Sequence, residues 1–297
     1  MGERGCVSAP RYDPEITPVA DATRLAPQDS MNPIDLLFQR FRSQGKKAFI
    51  PFITAGDPDL KTTELLIPKL IDSGASLIEI GFPYSDPIAD GAVIQASYTR
   101  ALENKLRIDE ILSSVSRIKP GLQICPLVAM VSYSLVQHRG SEKFIGQAHD
   151  AGFAGAIVPD LPVEESGELA RIAAELDFKL IQLVTPTTPR ERAVQITRTS
   201  TGFLYCVSVT GITGERDRLP PELLDQIAWL RKQTDLPICV GFGISKPEHV
   251  QMLRDLADGV IVGSVLVRKL EQAKNRPLNE VADDICTLVR TLSTALG

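Results

Sequence analysis

Residues 77–91 read LIEIGFPYSDPIADG. Leu77 and Ile78 lead into Glu79, and Ile80-Gly81 closes a short apolar run. A proline-rich stretch, Phe82-Pro83-Tyr84-Ser85-Asp86-Pro87, follows and ends in Ala89-Asp90-Gly91. The run has the length and composition of a buried strand. One acid therefore sits inside it, and two more, Asp86 and Asp90, sit in the loop after it. A carboxylate among Leu and Ile is costly to bury unless it is paired or used. The C-terminal ends of parallel strands are where α/β enzymes place their chemistry. Desolvation raises the pKa of such an acid, which suits Glu79 to general acid or base work. The competing reading pairs Glu79 with a basic residue and leaves the aspartates to cap turns or a helix. Asp86-Pro87 and Asp90-Gly91 are good turn chemistry.

Outward from this stretch the same pattern repeats. Short apolar runs lie at 48–54, 77–81, 124–131, 155–160, 180–185, 203–208, 237–243 and 259–264. They are nearly continuous in Val, Ile and Leu, as strands buried on both faces of a parallel sheet are. Amphipathic helical patterns separate them at 60–73, 108–118, 142–151, 165–176, 190–198, 221–233 and 246–256, and a last one follows at 278–295. Pro68 falls inside the first and is expected to bend it or shift its start. Ser245-Lys246-Pro247-Glu248 has the form of a capping box opening the pattern at 246–256. Eight strand–helix alternations predict an α/β chain folded as a single (β/α)8 barrel. An open doubly wound sheet is the runner-up. The count of eight and the lack of Gly-x-Gly-x-x-Gly after any run argue against it.

No long linker divides residues 47–297. Ile34, Leu36, Leu37, Phe38 and Phe41 predict an extra helix ahead of the barrel, which sets a catalytic domain at 31–297. Residues 1–30 hold four prolines and no apolar core of a signal sequence, so a disordered tail or an over-extended start before Met31 is expected.

The chain has 297 residues, and an α/β barrel needs roughly 250. Its net charge of −5 gives no electrostatic case for nucleic acid. No run approaches the roughly 18 apolar residues of a membrane span. Five cysteines form no CxxC pair, so disulfides are not expected and a reducing cytoplasm fits. His138, His149 and His249 lack metal-ligand spacing and read as surface residues, so no metal is expected.

Two further loops carry chemical signals. Ser208 to Gly214, SVTGITG, runs into a charged segment ending in Pro220-Pro221. That is the composition of a loop that closes over a substrate, or of an ordinary flexible loop. Gly241-Phe-Gly243-Ile-Ser245 and Gly263-Ser264 end the seventh and eighth runs. Many barrels bind phosphate there through backbone N–H groups. Together the loops predict a barrel enzyme acting on a phosphorylated small molecule with carboxylate acid/base chemistry.

On these residues the chain resembles the α subunits of tryptophan synthase. The matching segments are PFITAGDPD (51–59), IEIGFPYSDPIADG (78–91), PDLPVEES (159–166), VSVTGITGER (207–216), VGFGIS (240–245) and GSVLV (263–267). They occur in family order with family-like spacing, and the resemblance covers roughly residues 31–297. The resemblance implies retro-aldol cleavage of indole-3-glycerol phosphate to indole and glyceraldehyde 3-phosphate in tryptophan biosynthesis. It places the catalytic glutamate at Glu79 and the catalytic aspartate at Asp90. The phosphate site falls on Gly214, Gly243, Gly263 and Ser264, and the indole pocket on Phe52, Tyr205 and Ile261. Thr213 matches a threonine that contacts the catalytic aspartate when the loop closes. No cofactor is implied in this chain. Pyridoxal phosphate is implied in a partner β subunit within an α2β2 heterotetramer. Pro83, Asp86 and Asp160 match positions at that contact.

One segment departs from the family pattern. Ser132 stands where Tyr is usual and Ser134 where Asn is usual. The change lies at the subunit contact and pocket rim, and leaves a stand-alone indole-glycerol-phosphate lyase as the alternative. A catalytically poor module that only activates its partner is disfavoured by the presence of both acids.

Overall fold

We describe a computed structural model of the protein over residues 31–87, 90–121, 125–207, 221–241 and 243–297. The expected tail, and the loop carrying Thr213 and Gly214, lie outside the described residues. Residues 31–297 pack as one unit.

Eight parallel strands close into a barrel in sequence order. They are β1 (Ala48–Thr54), β2 (Ile78–Gly81), β3 (Leu127–Met130), β4 (Phe153–Ile157), β5 (Lys179–Val184), β6 (Leu204–Val207), β7 (Ile238–Gly241) and β8 (Gly259–Val262). Each falls within or against one of the apolar runs. Side chains alternate between two cores. Ala48, Ile50, Leu77, Val128, Ile181, Tyr205, Cys239 and Ile261 fill the barrel. Phe49, Ile53, Ile78, Ile80, Ala129, Leu180, Val240 and Val260 face the surrounding helices.

The expected helices are present, with ends displaced by a few residues. Leu60–Asp72 starts where expected and runs through Pro68. Ser245 does not cap the helix Pro247–Arg254, because Lys246 holds the N-cap position, so the capping box does not form. His249 is buried rather than at the surface, and its Nδ1 accepts the Ser245 N–H at 3.4 Å. The four described cysteines are free and buried.

The predicted N-terminal helix spans Pro33–Gln44. Asn32 caps it by accepting the Ile34 N–H at 2.8 Å, and Pro33 takes the first position, where no N–H is needed. The Asn32 amide also donates to the carbonyls of Ala154 and Asp177 at 2.9 and 2.6 Å, pinning the helix to β4 and to the turn before β5. Ile34, Leu37 and Phe38 then close the N-terminal end of the barrel, with Phe38 and Phe203 ring centres 5.8 Å apart. The opposite end, where the strands finish, is left for the site.

Three helices carry no expectation from the sequence: Ala92–Glu103, Tyr133–Arg139 and Ser264–Leu270. All three follow the C-terminal end of a strand, at the face where the chemistry lies.

Candidate active site

Glu79 is the second residue of β2, paired with Phe52 on one side and Val128 on the other. Leu77 belongs to the barrel interior and Ile78 and Ile80 to the outer core, so alternation turns Glu79 and Gly81 inward. Glu79 is 1% exposed, and neither carboxyl oxygen has a hydrogen-bond partner among the described residues. The ion-paired alternative is thus not met. Burial, and then the charge of Asp90, push the Glu79 carboxyl up to about 8. It is a neutral acid at neutral pH.

Asp90 enters by a different route. The turn after β2 brings its N–H to the Pro87 carbonyl at 3.1 Å, and its own carbonyl accepts the Gln95 side-chain amide at 2.7 Å. The helix Ala92–Glu103 starts directly beyond, with Gly91 at its N-cap. Burial, and then Asp160, raise the Asp90 carboxyl to about 6, against a hydrogen bond from the Tyr84 hydroxyl that lowers it. The two acids therefore sit on opposite sides of neutrality, an arrangement that separates an acid from a charge-stabilising carboxylate.

Phe52, Tyr205 and Ile261 all lie on inward faces. Tyr205 and Ile261 belong to the cluster inside the barrel, and Phe52 to a small cluster above it with Ile94, Tyr98 and Val267. Met130 packs against both clusters. Two glycines make room for the rings. A Cβ on Gly81 would lie 2.5 Å from Phe52 Cζ, and one on Gly241 would lie 2.6 Å from the Tyr205 hydroxyl. Gly263 and Ser264 sit at the end of β8, where Gly263 caps the helix Ser264–Leu270. Gly243 is exposed, with open space where a Cβ would stand.

Pro83, Asp86 and Asp160 group around a neighbouring cavity, with Asp160 near enough to act on the Asp90 carboxyl. They line a cavity of about 710 Å³ with Tyr84, Leu106 and Leu135, and neither Glu79 nor Asp90 borders it. Ser132 and Ser134, the two departures, line it too. Ser132 Oγ donates to Asp160 at 2.7 Å and lies 2.8 Å from Ser134 Oγ, while the Tyr133 N–H donates to the other Asp160 oxygen at 2.7 Å. The altered segment is locally satisfied.

Sequence reasoning did not single out Tyr84, Tyr98, or the pair Asp57 and Arg100. Arg100 meets Asp57 through two hydrogen bonds of 2.8 and 2.7 Å, and both residues are buried. Ile94, Tyr98 and Ala101 are the buried face of Ala92–Glu103, at positions i, i+4 and i+7. That spacing was the available signal.

Comparison with known proteins gives a single answer. The sequence model described as tryptophan synthase alpha chain matches residues 38–296. The chain belongs to the tryptophan synthase alpha chain family. It is 50% identical over 259 residues to the tryptophan synthase alpha chain of Rhodopirellula baltica, covering 86% of this chain and 93% of that one. Identity to the alpha chain of Acaryochloris marina is 44% over 267 residues, covering 90% and 98%. Among solved structures, a tryptophan synthase alpha chain from Legionella pneumophila superposes with a TM-score of 0.79 at 34% identity, covering 90% of this chain and 97% of that one. A chain of the α2β2 tryptophan synthase complex of Pyrococcus furiosus superposes at 0.77 with 37% identity, covering 83% and 98%. As a tryptophan synthase alpha chain, the protein is a lyase that cleaves indole-3-glycerol phosphate.

Proposed function

We propose that Glu79 and Asp90 carry the retro-aldol cleavage of indole-3-glycerol phosphate, with Glu79 as the proton shuttle. The single observation behind this reading is a buried, unpartnered carboxyl raised to about 8 beside a second raised only to about 6. Between these values Glu79 carries a proton and Asp90 a charge. Neutral Glu79 donates its proton to indole C3, which makes an indoleninium and loads positive charge on the ring nitrogen. The Asp90 carboxylate accepts a hydrogen bond from N1–H and stabilises that charge. Glu79, now a carboxylate, takes the proton from the C3′ hydroxyl as the C3–C3′ bond breaks. Its electron pair returns to the ring, indole leaves, and the C3′ oxygen becomes the aldehyde of glyceraldehyde 3-phosphate. The shuttle ends protonated, as it began.

Phe52, Tyr205 and Ile261 provide the apolar slot for the indole ring. Gly243, Gly263 and Ser264, with Gly214, hold the phosphate through backbone N–H groups and one hydroxyl. Thr213 reaches Asp90 when its loop closes. The catalytic domain begins at Met31, and the enzyme works in the cytoplasm.

The cavity lined by Pro83, Asp86 and Asp160 is the docking face for a tryptophan synthase β subunit, which carries the pyridoxal phosphate of the α2β2 complex. Chains superposing well on this one come from such a complex. The stand-alone lyase is the weaker reading, because Ser132 and Ser134 keep their segment hydrogen-bonded to Asp160. Incubation with indole-3-glycerol phosphate, with and without a β subunit, tests both. Indole is expected in each case, faster with the partner, and Glu79→Gln abolishes it. No indole under either condition would overturn the proposal.

A further inference from the structure

Glu79 must be ionised during half of each turnover, yet the described structure offers its carboxyl oxygens no donor. An unpaired carboxylate in that position is costly, and a hydrogen bond to the charged form is the ordinary remedy. One group fits the requirement. Tyr98 lies two turns into the helix Ala92–Glu103 and is 1% exposed. Its hydroxyl reaches to 2.8 Å from the point where a Cβ on Gly81 would sit, alongside the tip of the Phe52 ring. Gly81 is two residues beyond Glu79 on β2, so both face inward on the same line. The phenol thus occupies the space above the Glu79 side chain that any residue but glycine would fill. Its ring is held at 5.6 Å from that of Tyr84, the residue that hydrogen-bonds Asp90.

We propose that Tyr98 is a positioning residue for Glu79, its hydroxyl donating to the carboxylate that forms when Glu79 has given its proton to C3. The inference rests on the assignment of Glu79 as the shuttle. No proton passes from Tyr98; the ionised Glu79 side chain turns to the hydroxyl and turns away when the acid is restored. Burial, Asp90, Glu79 and Tyr84 all hold the Tyr98 phenol protonated, so it remains a donor across the working pH range. The other groups acting on Glu79 leave this role open. Asp90 is a like charge, the Cys239 thiol is a weak donor, and the Tyr205 hydroxyl stands over β7, 2.6 Å from where a Cβ on Gly241 would sit, not over β2.

The test is indole formation by the full chain and its Tyr98→Phe variant between pH 5.5 and 9.5. The variant keeps the ring and loses one oxygen. We expect kcat to fall about tenfold or more, the effect of losing one hydrogen bond to a charged group, with KM within about twofold. The basic limb of the kcat profile, set by Glu79, moves up by about one pH unit, because the carboxylate has lost its stabiliser. The limb's position does not depend on the fraction of protein folded, so a stability loss leaves the readout intact. An unshifted limb overturns the role of Tyr98, whatever happens to the rate. Glu79→Gln is run beside it. Indole formation surviving in that variant would sink the shuttle assignment itself, a failure distinct from an unshifted Tyr98→Phe.

Discussion

Glu79 is held where its charged form is least welcome, and this has a consequence for stability that is separate from catalysis. In the unfolded chain the group ionises near the ordinary 4.5, and in the folded protein near 8. Between those values the native state binds a proton that the unfolded state does not. Stability is therefore lost as pH rises through this window, by up to about 1.4 kcal/mol per pH unit from this one residue. The loss stops above about pH 8, where both states are ionised. Glu79→Gln carries no such linkage. The variant is expected to gain on the wild-type protein steadily from pH 5 to pH 8 in urea unfolding, and by a constant amount beyond. A difference independent of pH would mean that Glu79 is ionised and partnered in the folded state. Asp90, raised only to about 6, adds a smaller contribution of the same sign at lower pH.

Among the elements, the helix Ala92–Glu103 does the most to assemble the site, and the sequence signalled it least. It starts beside Asp90, buries Tyr98 over β2, and ends near Arg100. Arg100 ties it to Asp57, in the turn after β1, and reaches Glu271, just past the helix Ser264–Leu270, at 3.5 Å. One guanidinium thus links the helix after the acid loop, the first barrel loop and the segment that follows the helix Ser264–Leu270. Removing one partner of a buried pair leaves an uncompensated charge, at a cost of about 3–5 kcal/mol. Arg100→Gln should lose about that much in urea unfolding, and adding Asp57→Asn should recover part of it. If the double variant were as unstable as the sum of the singles, the pair would not be acting as a unit. The eight strands were legible because each is apolar on both faces and bounded by turn residues. Glu79 was legible because it breaks such a run. Of the three unexpected helices, Ala92–Glu103 mixes polar Ser97 and Arg100 into its buried face, and Tyr133–Arg139 and Ser264–Leu270 span about two turns each, so their periodicity is lost among loop residues. The pairing of Arg100 with Asp57 joins residues 43 positions apart, which no local pattern encodes.

For the whole molecule, the barrel has two unlike ends, and the division explains where the chain can be shortened. The site end is built from loops and glycines. The other end is closed by the helix Pro33–Gln44, whose Ile34, Leu37 and Phe38 are 0%, 3% and 5% exposed. These side chains share one buried cluster with Ala48 and Leu77, at the starts of their strands, and with Phe203. Asn32 provides both the helix cap and the two bonds that fasten it to the barrel. The family sequence model begins to match at residue 38, inside this helix, and residues 31–297 form one packed unit. A chain starting at Met31 keeps every one of these contacts, so its unfolding midpoint and its rate of indole formation are expected to match those of the full chain. A chain starting at Gly45 loses the burial of these three side chains, about 1.5–3 kcal/mol each, and should be less stable by about 5 kcal/mol or more. Comparing the three proteins by urea unfolding and by indole release locates the boundary of the catalytic domain. A loss of activity on removal of residues 1–30 alone would move that boundary upstream of Met31.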